Sequence, residues 1–305
     1  MTEKASVEYV TLDVFTDHVF GGNPLAVVLD GRGLADAEMQ AIATEFNYSE
    51  TTFLLPPEDA LHTARVRIFT TIRELPFAGH PNVGTGFVVA GLGALFGREV
   101  GEELLFEEKA GLVPIAVLKE GGAVVGARLT APQTLAVGRT VAPEIVAECL
   151  GLDTSEIATD HHPPVIASVG LPFLFAALTS RASLAKCRPS SSAFARHLPI
   201  EGARAIHASV REGTSVHARV FADHGTIIED PATGSANVAF VALAADLVPE
   251  PDAELSLDIV QGVEMGRPSR LAARAVKRAR RVERAEIGGR CVPVMRGRLS
   301  FVRAG

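Results

Sequence analysis

The chain has little cysteine, and no arrangement that would put it to use. Cys149, Cys187 and Cys291 are odd in number, far apart and in no paired motif. Neither a disulfide framework nor a zinc site is supported. A long hydrophobic run is also missing. The longest, Pro164 to Leu178, is interrupted by Gly170 and Pro172, and it falls short of a bilayer span. Met1 to Glu8 holds no apolar signal core, so the expected location is cytoplasmic, with no membrane partner. Positive charge is not in surplus either. The net charge of −7 argues for solubility and against a nucleic-acid partner. Phosphate-loop and nucleophile-elbow patterns are absent. Gly91-Leu92-Gly93 lies inside an apolar run, without the strand-then-glycine context of a dinucleotide site. His161-His162 has no acidic or thiol residue at ligand spacing, so it reads as loop and no metal is expected.

What is present is a duplication. Glu74-Leu75-Pro76-Phe77-Ala78-Gly79-His80-Pro81-Asn82-Val83 is echoed by Glu229-Asp230-Pro231-Ala232-Thr233-Gly234-Ser235-Ala236-Asn237-Val238. Glu, Pro, Gly, Asn and Val fall at the same five places. Arg67-Ile68-Phe69 precedes one copy and Arg219-Val220-Phe221 the other. An apolar run follows each, Val83 to Phe96 and Val238 to Val248. Strand, Gly-containing turn and helix opening together present free backbone N–H groups to an anion. Two copies in 305 residues suggest two domains built alike, each aiming a helix N-terminus at a shared cleft.

The rest of the chain fits that plan. Alternation over Glu8 to Phe15 predicts a first strand, and Leu25 to Leu29 a buried one after the turn Gly21 to Pro24. Asp36 is expected to cap a helix over Ala37 to Phe46, closed by Asn47-Tyr48-Ser49-Glu50. Strands follow at Thr51 to Leu55 and Thr63 to Phe69. The run Val83 to Phe96 has no polar face, so it predicts a helix buried on all sides. Gly84, Gly86, Gly91 and Gly93 would let strands pack close to it, and Pro81 suits its first turn. Glu103 to Phe106, Gly111 to Leu118 and Ala123 to Leu129 are further strands. The domain boundary is expected near Gly126 to Pro132, with Arg128 to Thr130 opening the second half. There Gly170-Leu171-Pro172 echoes Gly22-Asn23-Pro24. An apolar helix is expected over Val238 to Leu247, and two closing strands over Gly289 to Met295 and Gly297 to Val302. Leu271 to Ala285, rich in Ala and Arg, reads by propensity as a solvated basic helix.

The candidate chemistry lies at the motifs. Amides near Gly79-His80 and Gly234-Ser235 would bind a carboxylate or enolate-like charge. Glu50 is the candidate base, fixed between helix and strand where partial burial tunes a carboxylate for proton transfer. His80 is a proton shuttle or substrate ligand, unless it is a structural histidine. Asp230 would pair with His80 or hold a substrate amine or hydroxyl, and otherwise caps the helix. Ser235 is a cap or a carboxylate ligand.

These residues resemble the phenazine-biosynthesis isomerase-like (PhzF-like) family, within the diaminopimelate epimerase fold. The resemblance is carried by Gly22 to Val28, Asn47-Tyr48-Ser49-Glu50-Thr51, the two duplicated motifs, Gln261-Gly262 and Met265 to Ser269. It implies an α+β fold of two pseudo-symmetric domains, each a β-barrel-like sheet around a central apolar helix, with the site between them. The domains would span 1–127 and 128–289, with a strand near 290–305 returning to the first. The basic segment would then be partly strand, against its propensity.

The resemblance also implies a cofactor-independent isomerase acting on a small carboxylate, like trans-2,3-dihydro-3-hydroxyanthranilate isomerase. Glu50 would be the acid/base, with His80 and Asp230 beside it, and Gly79, Gly234 and Ser235 binding substrate. A homodimer is expected, and no metal or organic cofactor. The chain departs from the family pattern at Thr71-Ile72 and Asn82, which bears on substrate identity rather than on reaction class. Two other readings remain open: a two-thiol racemase or epimerase of the same fold, and a non-catalytic small-molecule binder.

Overall fold

The computed structural model describes residues 4–223 and 227–303. The chain divides into two units, Met1–Pro132 with Gly288–Gly305, and Gln133–Ile287. Residues 304 and 305, the end of the expected returning strand, lie outside the described residues.

The first unit is a ring of eight strands. In order of pairing they are Lys4–Val14, Asn23–Val28, Glu50–Leu55, Ala64–Phe69, Glu103–Glu108, Gly111–Glu120, Ala123–Thr130 and the later part of Arg281–Val302. That last strand pairs with both Ala123–Thr130 and Lys4–Val14, which closes the ring. Closure leaves no unpaired edge. The helix Gly79–Leu92 runs inside, with Gly79 to Gly86, Val88 and Val89 all buried. It has no polar stripe because strands surround most of it. Two glycines set the distance. A Cβ on Gly84 would stand 2.5 Å from Leu25 Cδ2, and one on Gly86 2.6 Å from Ile115 Cγ2.

The second unit repeats the order. Val165–Ser168, Pro172–Leu178, Ala205–Glu212, Ser215–Asp223, Ala253–Gln261 and Ser269–Arg278 pair in turn as antiparallel, parallel, antiparallel, parallel, antiparallel. The first unit's strands from Lys4–Val14 to Gly111–Glu120 follow the same sequence of senses. The helix Gly234–Asp246 is the second central helix, buried from Gly234 to Ala245. Its C-terminal carbonyls meet Lys277, which donates to Asp246 O at 2.8 Å and Val248 O at 2.7 Å. A cation at a helix C-terminus is stabilised by the partial negative charge there.

Several sequence expectations are corrected. Both central helices begin four residues earlier than expected, at Gly79 and Gly234, so the motif glycines are helical. The first ends at Leu92 because Gly93 adopts the left-handed conformation at φ 69°; Ala94–Leu95 is a short strand. Gly91 meets nothing within 4 Å of its would-be Cβ, so it does not serve close packing. Asp36 is the first residue of its helix rather than the cap, which is Ala35, and its carboxylate takes Arg67 Nη1 at 2.6 Å. Arg128 to Thr130 ends a strand of the first unit. The two closing strands are one, Arg281–Val302. Gly297 is not a turn but a close approach, where a Cβ would stand 2.6 Å from Tyr9 Oη. The basic segment is strand, with Leu271, Ala273 and Ala275 buried in alternation. A period of two and burial outweighed its helical propensity.

Candidate functional site

Each motif is held by the same ion pair. Arg67 grips Glu74 through Nε and Nη2, both at 2.8 Å. Arg219 grips Glu229 the same way, both at 2.7 Å. The guanidinium also lies over a phenylalanine in each case, 5.0 Å from the Phe69 centroid and 4.8 Å from Phe221. The duplicated Arg-x-Phe and Glu are therefore one bracket, a bidentate fork with a cation–π contact. The duplicated asparagine has one job in common as well. Asn82 Nδ2 donates to Ala78 O at 2.9 Å, and Asn237 Nδ2 to Thr233 O at 3.0 Å. Each ties its helix to the residue before the helix opening.

Those openings are not closed by their own caps. Neither Ala78 nor Thr233 makes a side-chain cap hydrogen bond. Ala78 has no acceptor to offer, and the Thr233 hydroxyl donates instead to Asp230 Oδ2 at 2.6 Å. First-turn amides without a side-chain acceptor are suited to an anionic ligand.

In the first unit Glu50 and His80 come together. Glu50 opens the strand Glu50–Leu55, directly after the helix Asp36–Phe46 closes at Asn47 in the left-handed conformation. Its side chain is 15% exposed, and Oε2 lies 3.5 Å from His80 Nδ1. His80, in the first turn of the central helix, is buried. Burial holds its pKa down at about 3, opposed only by the Pro24 backbone. It is a neutral imidazole at neutral pH.

Asn23 completes this half and was missed as a site residue. Its Nδ2 lies 3.2 Å from His80 Nδ1, and its Oδ1 accepts from Ser49 Oγ at 3.5 Å. Nδ1 of His80 therefore faces both Asn23 and Glu50, while Nε2 is buried without a hydrogen-bond partner. Gly22-Asn23-Pro24 read only as a turn, although its echo Gly170-Leu171-Pro172 lacks the asparagine. That difference between otherwise matched turns was the available signal.

In the second unit Asp230, Thr233, Gly234, Ser235 and Gln261 form the corresponding cluster. Asp230 ends the strand Ile227–Asp230, and Gly234 and Ser235 open the helix. Gly262 is required beside them: at φ +78°, a Cβ there would stand 2.6 Å from Pro231 O. The register also locates the place of Glu50 in this unit. Thr51 pairs with Phe69, and Ile206 pairs with Phe221. The residue before Ile206 is Ala205, so only the first unit carries a carboxylate at this position.

The cysteines are elsewhere. All three are buried, and burial raises Cys149 and Cys187 to about 11 and Cys291 further. The two helix openings, Ala78-Gly79-His80 and Thr233-Gly234-Ser235, contain no cysteine. Among the described residues no group of three or more His, Cys, Asp or Glu is placed to hold a metal ion. No helix among them is long and apolar enough to cross a membrane.

Comparison with known proteins gives a consistent picture. The sequence pattern of the phenazine biosynthesis-like protein family (PhzC-PhzF) matches residues 12–297. An uncharacterized isomerase of Mesorhizobium japonicum is 36% identical, over 95% of this chain and 98% of that protein. The trans-2,3-dihydro-3-hydroxyanthranilate isomerase of Pseudomonas chlororaphis is 35% identical over the same shares of both chains. Among solved structures, a PhzF-family phenazine biosynthesis protein of Bacillus anthracis superposes with a TM-score of 0.83 at 26% identity, covering 97% of this chain and 99% of that one.

Proposed function

The chain belongs to the phenazine biosynthesis-like family and is an isomerase of it, and we propose that it works without a cofactor, with Glu50 carrying a proton between two carbons of a small carboxylate substrate. The observation that carries this reading is the Glu50–His80 contact at the opening of an uncapped, buried helix. A carboxylate there is fixed, partly withdrawn from water and next to a neutral imidazole. It can take a proton from a carbon acidified by a neighbouring carboxylate or conjugated system, and return it elsewhere on the same molecule.

The other residues have supporting roles. The amides at Gly79 and Gly234 and the Ser235 hydroxyl bind the substrate carboxylate and the charge that develops on proton removal. Asp230 holds a substrate amine or hydroxyl. The single carboxylate, Glu50 against Ala205 in the matching strand, favours one group acting in turn as base and acid over two opposed bases. The substrate is of the class that the Pseudomonas chlororaphis relative's name describes, a hydroxylated cyclohexadiene amino acid or a near analogue.

The test is Glu50→Gln, which keeps size and hydrogen bonding but removes the base. Turnover and solvent-proton exchange should vanish while ligand binding and the melting temperature are retained. Retained exchange would contradict the assignment.

A further inference from the structure

The second unit shows how its helix opening is fixed from behind. Gln261 ends the strand Ala253–Gln261 and is 1% exposed. Its Oε1 accepts from Asn237 Nδ2 at 2.8 Å and from the Thr233 amide at 3.2 Å. Its Nε2 donates to Asp230 O at 2.7 Å and Thr233 Oγ1 at 3.0 Å. One neutral carboxamide joins the helix asparagine to the backbone of the motif before it.

Strand register identifies its counterpart in the first unit. Ala64 pairs with Phe106, and Val216 with Ile259. Arg67 and Arg219, the matched bracket residues, stand three places after Ala64 and Val216. Two places after Phe106 and Ile259 stand Glu108 and Gln261. An ionisable acid therefore occupies the position of a neutral amide.

The surroundings of Glu108 do not suit a charge. Both carboxyl oxygens are buried without a hydrogen-bond partner. The side chain within reach is Asn82, the counterpart of Asn237. The cations around the same hollow are engaged elsewhere: Arg67 with Glu74 and Asp36, Lys109 with Glu74, Arg65 with Glu58. The adjacent Glu107 is itself held by His62 and by two backbone amides. Burial pushes the Glu108 pKa well above the ordinary carboxylate range, opposed by Asn82.

We propose that Glu108 is a positioning residue held as the uncharged acid, serving the first central helix as Gln261 serves the second. Its carbonyl oxygen takes the Asn82 amide. Its hydroxyl is left for the backbone at Leu75, which stands where Asp230 serves Gln261. The Asn82–Ala78 tie, and with it the Gly79-His80 opening, is thereby backed by a neutral group.

The test compares Glu108→Gln and Glu108→Ala with the parent protein and does not depend on the reaction. Near neutral pH the infrared spectrum of the parent should contain an unionised carboxyl band that Glu108→Gln removes. The pH dependence has a fixed sign. Below about 4.5, the ordinary glutamate value, the folded and unfolded chains both hold this proton. As pH rises the unfolded chain releases it and the folded chain keeps it, so the parent loses stability that Glu108→Gln does not lose. The melting temperature of Glu108→Gln should therefore exceed the parent's by a margin that grows with pH. The Gly79 and His80 amide resonances should be retained in Glu108→Gln and displaced in Glu108→Ala. Absence of the carboxyl band, a margin that is flat or falls with pH, or amide shifts in Glu108→Gln as large as in Glu108→Ala would overturn the proposal.

Discussion

Nδ1 of His80 lies 3.5 Å from Oε2 of Glu50. This contact joins a strand start to a helix start 30 residues apart in the sequence. It is longer than an ordinary hydrogen bond, and the imidazole is neutral because burial holds its pKa at about 3. Asn23 Nδ2 lies 3.2 Å from the same Nδ1. His80 thus stands beside Glu50 as a neutral imidazole and not as a cation paired with its carboxylate. Replacing His80 by Gln should weaken the acid step more than substrate binding, so kcat should fall while KM changes little.

Acid stability follows from the buried histidines. His80 and His207 are held at about 3 and about 4, mainly by burial; His207 also donates from Nε2 to Asn237 Oδ1 at 3.0 Å. Unfolding frees both to protonate near the ordinary value of 6.5. Their contribution is therefore present above that pH and is lost as pH falls toward the folded values. A tenfold change in proton affinity corresponds to about 1.4 kcal/mol. Melting temperature should drop from pH 6.5 downward, and His207→Gln should flatten the slope.

The Arg219–Glu229 bracket is a second point of attack. The Arg219 side chain is 5% exposed and its partner 17%. Arg219→Met leaves a buried carboxylate unpaired and should cost about 3–5 kcal/mol in urea unfolding. Arg219→Met with Glu229→Leu should recover much of that loss, because the desolvated charge is gone.

The central helix separates its glycines by function. Gly84→Ala would drive a methyl into Leu25 and Val14 and should destabilise by about 1–3 kcal/mol. Gly91→Ala, in open space on the same helix, should stabilise by about 0.5–1 kcal/mol. Chemical unfolding of the two variants measures both signs.

The duplication was the legible part. Five matched residues in the two motifs, each preceded by Arg-x-Phe, announced two similar units. The structure explains the match as an Arg–Glu bracket and an asparagine tie. Side-chain period and burial were legible too, apart from helix ends. Those depended on backbone conformation at Gly93 and on Gly79 and Gly234 being helical, neither of which leaves a hydrophobic signature. The basic segment misled by composition: Lys277 and the alternating Leu271, Ala273 and Ala275 become meaningful only once the second central helix is in place. Asn23, Gln261 and Glu108 act through partners 57, 24 and 26 positions away, in His80, Asn237 and Asn82. Local patterning is blind to such pairs, and only strand register reveals them.

The most direct measurement is proton NMR of the purified protein in heavy water with trans-2,3-dihydro-3-hydroxyanthranilate, beside Glu50→Gln. The account predicts isomerisation with deuterium incorporation that disappears in Glu50→Gln, while that variant stays folded and still binds. Equal isomerisation or exchange in Glu50→Gln would contradict it.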